Sequence, residues 1–205
     1  MEKIRVPRFD GYVYACGYDP GSDMDLCEMY RLRISNDGVD LELVDRFSYD
    51  MLKNIVRNLD KPVVDVKELR EVLEPLRNFI KAIDERRCPL CGKKMKVVIR
   101  RKRRRNEAYF LKSLYPDMKP YDEYTGYWYT CSSCGTRYKV EFSEIDGGAA
   151  LRWKYEVEKN GKKAVYAKRG YFGNDINIFI PYLEFLKQLF DLGLVEIVEG
   201  STQHL

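Results

Sequence analysis

Histidine is almost absent from this chain: one residue in 205, His204. Histidine general-base and Ser-His catalysis therefore have no candidate. No glycine-rich run fits a phosphate-cradling loop. No stretch approaches the ~18 uncharged residues that a membrane-spanning helix needs. The longest strongly apolar run, Ile176 to Leu183, is bounded by Asp175 and Glu184. The opening MEKIRVPRFD has no apolar signal segment. These absences lead us to expect a soluble cytoplasmic protein without membrane contact, and they weigh against an enzyme.

Apolar residues make up 45% of the chain, enough for a real core. The net charge of +4 hides an uneven distribution. Residues 1–86 carry 14 basic and 18 acidic side chains, and residues 141–205 carry 8 and 10. Residues 87–140 carry 14 basic against 4 acidic, so the whole excess lies in the middle. A local field of that size attracts polyanions.

Strand and helix patterns predict an α+β fold. Residues 11–18 read as a strand, and 28–34 and 39–47 as a hairpin turning at Ser35-Asn36-Asp37-Gly38. Ser48 is placed to cap a helix with apolar Met51, Leu52, Ile55, Val56 and Leu59. After an extended Pro62-Val63-Val64, Asp65 and Glu68 form a candidate capping box. The helix behind it has an apolar stripe from Val66 to Ile83, read as core, and Pro75 predicts a kink or break. Strands are expected at 136–142, 151–159 and 162–168, the last two joined by Asn160-Gly161. A short helix with Pro181 in its first turn, ended by Gly193, and a last strand LVEIV complete the pattern. The organisation expected is an N-terminal α+β domain over 1–86, a cysteine-bearing unit over 87–142, and a C-terminal β-hairpin, helix and strand over 143–205.

Four of the six cysteines form two pairs of one pattern, Cys88-Pro-Leu-Cys91-Gly and Cys131-Ser-Ser-Cys134-Gly. Two thiolates separated by two residues can grip one ion, and the glycine permits the turn that aims backbone amides at sulfur. Soft ligands and a tetrahedral preference point to one structural Zn²⁺ held by Cys88, Cys91, Cys131 and Cys134. Four protein ligands leave no open position for water, which argues against a catalytic metal. The pairs resemble the knuckles of a zinc ribbon across residues 87–142. That resemblance implies two β-hairpins packed by a small sheet, and it implies no single function.

The first knuckle is followed by Lys93, Lys94 and Lys96 and then by Arg100, Arg101, Lys102, Arg103, Arg104 and Arg105. Adjacent cations repel one another, whereas releasing counterions from phosphates gives such a cluster a use. The return strand carries Tyr121, Tyr124, Tyr127, Trp128 and Tyr129; Tyr127 and Trp128 are candidates to stack on unpaired bases, while Tyr127 and Tyr129 share a face suited to packing. The expected partner is nucleic acid, DNA or RNA, gripped by an accessory or regulatory factor. A protein partner is the alternative: an adaptor docked on a polymerase or ribosome through the ribbon or the Val66–Ile83 stripe.

A second alternative comes from Cys16-Gly-Tyr-Asp19-Pro-Gly-Ser22, which resembles the first-strand signature of RNase H-like Holliday-junction resolvases. The order strand, strand, strand, helix, short strand over 11–66 resembles the start of that fold. The resemblance implies Mg²⁺ on Asp19, with Asp65 as a rough match for a second acid. Asp-Pro-Gly is also an ordinary turn, and no later acidic pair matches. Cys16 and Cys27, across the same loop, read as buried thiols, with a disulfide as the lesser option.

Overall fold

In the computed structural model, the described residues are 3–19, 21, 24–102, 123–145, 150–167 and 175–199. For Asp19 and for residues 99–102, 123–126, 142–145 and 150–153 the backbone alone is described. The fold is α+β, as its pattern predicts. Strands β1 (Ile4–Pro7), β2 (Phe9–Asp19), β3 (Met24–Ser35) and β4 (Gly38–Ser48) come first, then helix α1 (Leu52–Arg57), β5 (Val63–Asp65) and α2 (Arg70–Asp84). Strands β6 (Val98–Lys102), β7 (Glu123–Thr130), β8 (Arg137–Ile145), β9 (Ala150–Lys159) and β10 (Lys162–Ala167) follow, with α3 (Asp175–Asp191) and β11 (Val195–Val198) last.

The described residues form three sheets. One has the order β4-β3-β2-β5, with β5 parallel to β2; the second is an antiparallel array β10-β9-β8-β7-β6; β1 and β11 form a parallel pair. Alternation decides the faces of the first sheet. Val13, Ala15, Leu32 and Ile34 join the main core, while Cys27 and Met29 face a smaller cluster beneath α1. At Gly11 the strands come too close for any side chain, since a Cβ there would lie 2.5 Å from the Pro62 carbonyl oxygen. That oxygen accepts the Tyr12 N–H at 2.8 Å, the bond that docks β5.

The inner face of the five-stranded sheet is built of tyrosines. Tyr127, Tyr129, Tyr138, Tyr155 and Tyr166 are all buried, against Phe79 of α2 and Phe185 of α3. Buried hydroxyls need partners. Tyr127 donates to the Ile83 carbonyl at 3.1 Å, Tyr129 to that of Arg87 at 2.9 Å, and Tyr155 to Asp84 Oδ1 at 2.9 Å. The aromatic layer thereby ties the sheet to the C-terminal end of α2, where helix carbonyls lack intrahelical donors. One buried cluster draws on residues 1–86, 87–142 and 143–205 alike, and β8 runs through the expected boundary at 142.

Several local expectations change. The Ser48 side chain makes no capping bond; a 3₁₀ turn at Tyr49–Met51 precedes α1. Asp65 caps as expected, accepting the Lys67 N–H at 2.9 Å, but the turn it starts is 3₁₀, and α2 begins only at Arg70. Helix α2 continues through Pro75, its sixth residue, at the loss of the bond an N–H there would donate to the Glu71 carbonyl. Pro181 is the seventh residue of α3, not a first-turn residue, because the apolar run before it is already helical. The Val66–Ile83 stripe is core: Val66, Leu69, Val72, Leu73, Leu76, Phe79, Ile80 and Ile83 are all buried, so it is not a docking surface.

Candidate metal centre and the basic edge beside it

Helix α2 leads directly into the first knuckle. Arg86 takes a left-handed φ of 60°, and the Arg87 N–H bonds back to the Ala82 carbonyl, closing the helix. The chain then bridges Arg87 to Lys94, and the Met95 N–H meets the Arg86 carbonyl at 2.9 Å. Leu90, inside the knuckle, is buried in the main core. Strand β7 delivers the second knuckle, and β8 carries the chain away from it.

The two knuckles have one backbone design. In the first, the Gly92 N–H meets the Cys88 carbonyl at 2.7 Å and the Cys88 N–H meets the Lys93 carbonyl at 2.9 Å. In the second, Gly135 and Cys131 repeat these bonds at 2.8 Å, and Cys131 and Thr136 at 2.9 Å. Gly92 and Gly135 have φ of 73° and 72°, and a Cβ at either would meet nothing within 4 Å, so backbone conformation and not crowding calls for glycine.

All four sulfur atoms lie within 4.8 Å of one another. Cys88 and Cys134 are 3.6 Å apart and Cys91 and Cys131 3.4 Å. A tetrahedron with metal–sulfur bonds of ~2.3 Å has sulfur–sulfur edges of about 3.8 Å, so the donor set fits a single ion. Cys88 and Cys131 are buried, Cys134 is half-buried and Cys91 is exposed. Desolvation pushes the Cys88 thiol up to about 12, outweighing the Tyr138 hydroxyl, which lowers it. Cys91 is shifted down, chiefly by the Lys93 backbone hydrogen bond. A buried thiol that resists ionisation on its own becomes a thiolate when a cation shares the site.

Two further side chains approach the sulfurs without being evident from motif spacing. The Tyr138 hydroxyl lies 3.2 Å from Cys88 Sγ, and the fully buried Thr136 places Oγ1 3.4 Å from Cys134 Sγ. Hydrogen bonds to thiolates disperse charge and hold ligands in place. In sequence both read as ordinary residues of the strand expected at 136–142, and only the folding of β8 against the knuckle brings them to sulfur.

The basic residues separate by position. Lys93, Lys94 and Lys96 are exposed. Arg100, Arg101 and Lys102 belong to β6, which among the described residues pairs only with β7 and forms one edge of the five-stranded sheet; the register shifts between Arg100 and Arg101. Arg103, Arg104, Arg105 and Tyr121 lie outside the described residues. Tyr127 is corrected from a stacking candidate to a packing residue, since its ring is 5% exposed and the Arg86 guanidinium lies 5.8 Å from its centroid. Trp128 points to the opposite face, half-buried, opposite the exposed Val98.

Elsewhere the structure overturns the reading of Cys16 and Cys27 as thiols. They are directly opposite one another on β2 and β3, with Cα atoms 4.0 Å apart, and form a disulfide. The nuclease alternative loses its second acid. The order β2, β3, β4, α1, β5 is present, but Asp65 pairs with Tyr14, five residues short of Asp19. At a rise of ~3.3 Å per residue the two aspartates stand roughly 17 Å apart, too far to share a metal. Among the described residues, the four cysteines are the group of three or more side chains able to hold one ion. Also among them, no helix is long and apolar enough to cross a membrane. Comparison with family models, curated proteins and solved structures finds no match for this chain.

Proposed function

We propose that the four cysteines hold one structural Zn²⁺ and that this centre mounts a basic edge which grips nucleic acid through its phosphates. The zinc would be a fixed dication, leaving the binding to the chain's own cations. The observation that carries the reading is position: the only strongly basic part of an otherwise net acidic chain starts at the knuckle and continues along edge strand β6. Among the described residues no further strand lies beside β6, and a strand at a sheet edge leaves one row of backbone groups for a partner. Arginine forks match phosphate oxygens in pairs, and Trp128, half-buried on the other face of β7 from Tyr127, would add contact with a base. Binding of this kind is strongly salt-dependent and weakly sequence-specific.

The test is anisotropy titration of single- and double-stranded DNA and RNA against salt, comparing wild type with a variant in which residues 100–105 are alanine. The expected result is weaker binding and a log–log salt slope smaller by about 0.7–0.9 for each phosphate contact removed. Equal affinity and slope in the two proteins would refute the reading.

One observation favours the docking alternative. Tyr18, Met24, Tyr49 and Met51 are exposed, and strand register gathers them at one end of the four-stranded sheet. A protein complex that is insensitive to salt and lost on replacing Tyr49 and Met51 by serine would support that alternative over the nucleic-acid reading.

A further inference from the structure

Helices α2 and α3 leave between them a groove of about 740 Å³ that the metal centre and basic edge do not use. Its lining follows from helical spacing. Arg70, Arg77 and Asp84 recur every seven residues on α2 and share one stripe, with Leu73 and Ile80 beside them as an apolar floor. The facing wall is aromatic, Phe179 and Tyr182 of α3. Tyr182 is held in place by stacking on Tyr166, with centroids 4.6 Å apart and planes at 15°. Lys67, in the 3₁₀ turn before α2, also lines the groove and forms an ion pair with Asp175 at the start of α3, at 3.3 Å.

The two arginines are the unusual feature. Glu74 stands four residues after Arg70 and three before Arg77, where helical ion pairs commonly form. Yet among the described residues neither guanidinium has a carboxylate within 4 Å. Both forks are thus available on the rim of a concave site with an aromatic wall. Asp84, at the opposite end, binds the Tyr155 hydroxyl with one oxygen, leaving the other free to accept a hydrogen bond. This polarity orients a ligand: its anionic end belongs beside the arginines, its flat end beside the aromatic rings, and an amino group toward Asp84. Two arginines ~10 Å apart along the helix can share a short phosphate chain between them.

We propose that the α2–α3 groove is a nucleotide-binding site, with phosphates on Arg70 and Arg77 and the base against Phe179 and Tyr182. The residues are distinct from those of the basic edge, so this site stands or falls separately from the nucleic-acid reading. The nucleotide can be free or the 5′-phosphorylated end of a strand.

Calorimetric titration of the full chain with ADP tests it, with inorganic phosphate and adenosine as separate arms. ADP is expected to bind once per chain and more tightly than either fragment. The exposed double substitution R70A/R77A should weaken ADP at least tenfold, as loss of charge-assisted hydrogen bonds does. Phe179→Ala should reduce binding of ADP and leave that of inorganic phosphate unchanged. Alanine at residues 100–105 should leave ADP affinity unaltered. In that same variant, displacement of ADP by a 5′-phosphorylated oligonucleotide identifies a strand end as the source, and failure to displace it identifies a free nucleotide. No ADP binding to wild type, equal affinity for inorganic phosphate, or an R70A/R77A variant with wild-type affinity would each overturn the proposal. A phosphopeptide that binds the groove where ADP does not would overturn it too.

Discussion

Two cysteine clips hold different parts of this molecule, and they differ in almost every physical respect. Cys16 and Cys27 face each other across adjacent strands, 4.0 Å apart at Cα, and bond to each other. Cys88, Cys91, Cys131 and Cys134 come from two tight turns that are far apart in the chain, with two hydroxyls and, in the first turn, backbone amides beside sulfur. Strand register decides the first case. In the second, a left-handed glycine after each pair and the convergence of four sulfurs favour an ion. Cysteine chemistry here is set by the backbone that delivers the thiol, not by the number of cysteines.

That contrast can be broken most directly at the knuckles. Cys131→Ser should abolish stoichiometric zinc and destabilise the chain by several kcal/mol, on the order of the folding energy that structural zinc supplies, as seen in metal analysis and thermal melts. The double substitution C16A/C27A should cost about 3 kcal/mol, the loop-closure value for a bridge of this span, while zinc content stays at wild-type level. A reductant should reproduce that smaller effect without releasing metal. Tyr138→Phe removes the hydroxyl beside Cys88 and should weaken zinc at least tenfold in competition with a chelator. Gly135→Ala should cost about 1–2 kcal/mol from its left-handed backbone alone, measured by denaturant melts, since nothing crowds the site. If that substitution instead released zinc, the knuckle would depend on more than conformation.

Much of the fold was legible because its signals are local. The Asn160-Gly161 turn, both residues at positive φ, the apolar stripe of α2 and the paired C-x-x-C-G motifs each lie within one short segment. The end of α3 was also legible at Gly193, where the Leu194 N–H bonds back to the Leu189 carbonyl. What was not legible depends on pairing between distant strands. The disulfide follows only once Cys16 is known to oppose Cys27, and the nuclease alternative weakens only once Asp65 is known to oppose Tyr14. Tyr127 stood among both the stacking candidates and the face suited to packing, and it is α2 that brings the Ile83 carbonyl within reach of its hydroxyl. The α2–α3 groove likewise joins side chains about a hundred positions apart, which no local pattern connects.

Mass spectrometry of the full chain, native and then denatured without reductant, tests the division of the cysteines most directly. The account predicts one zinc per chain in the native spectrum. After denaturation with a chelator it predicts four thiols open to alkylation and a Cys16–Cys27 bridge that remains closed until reduced. A metal-free native mass, or six alkylatable thiols before reduction, would contradict it.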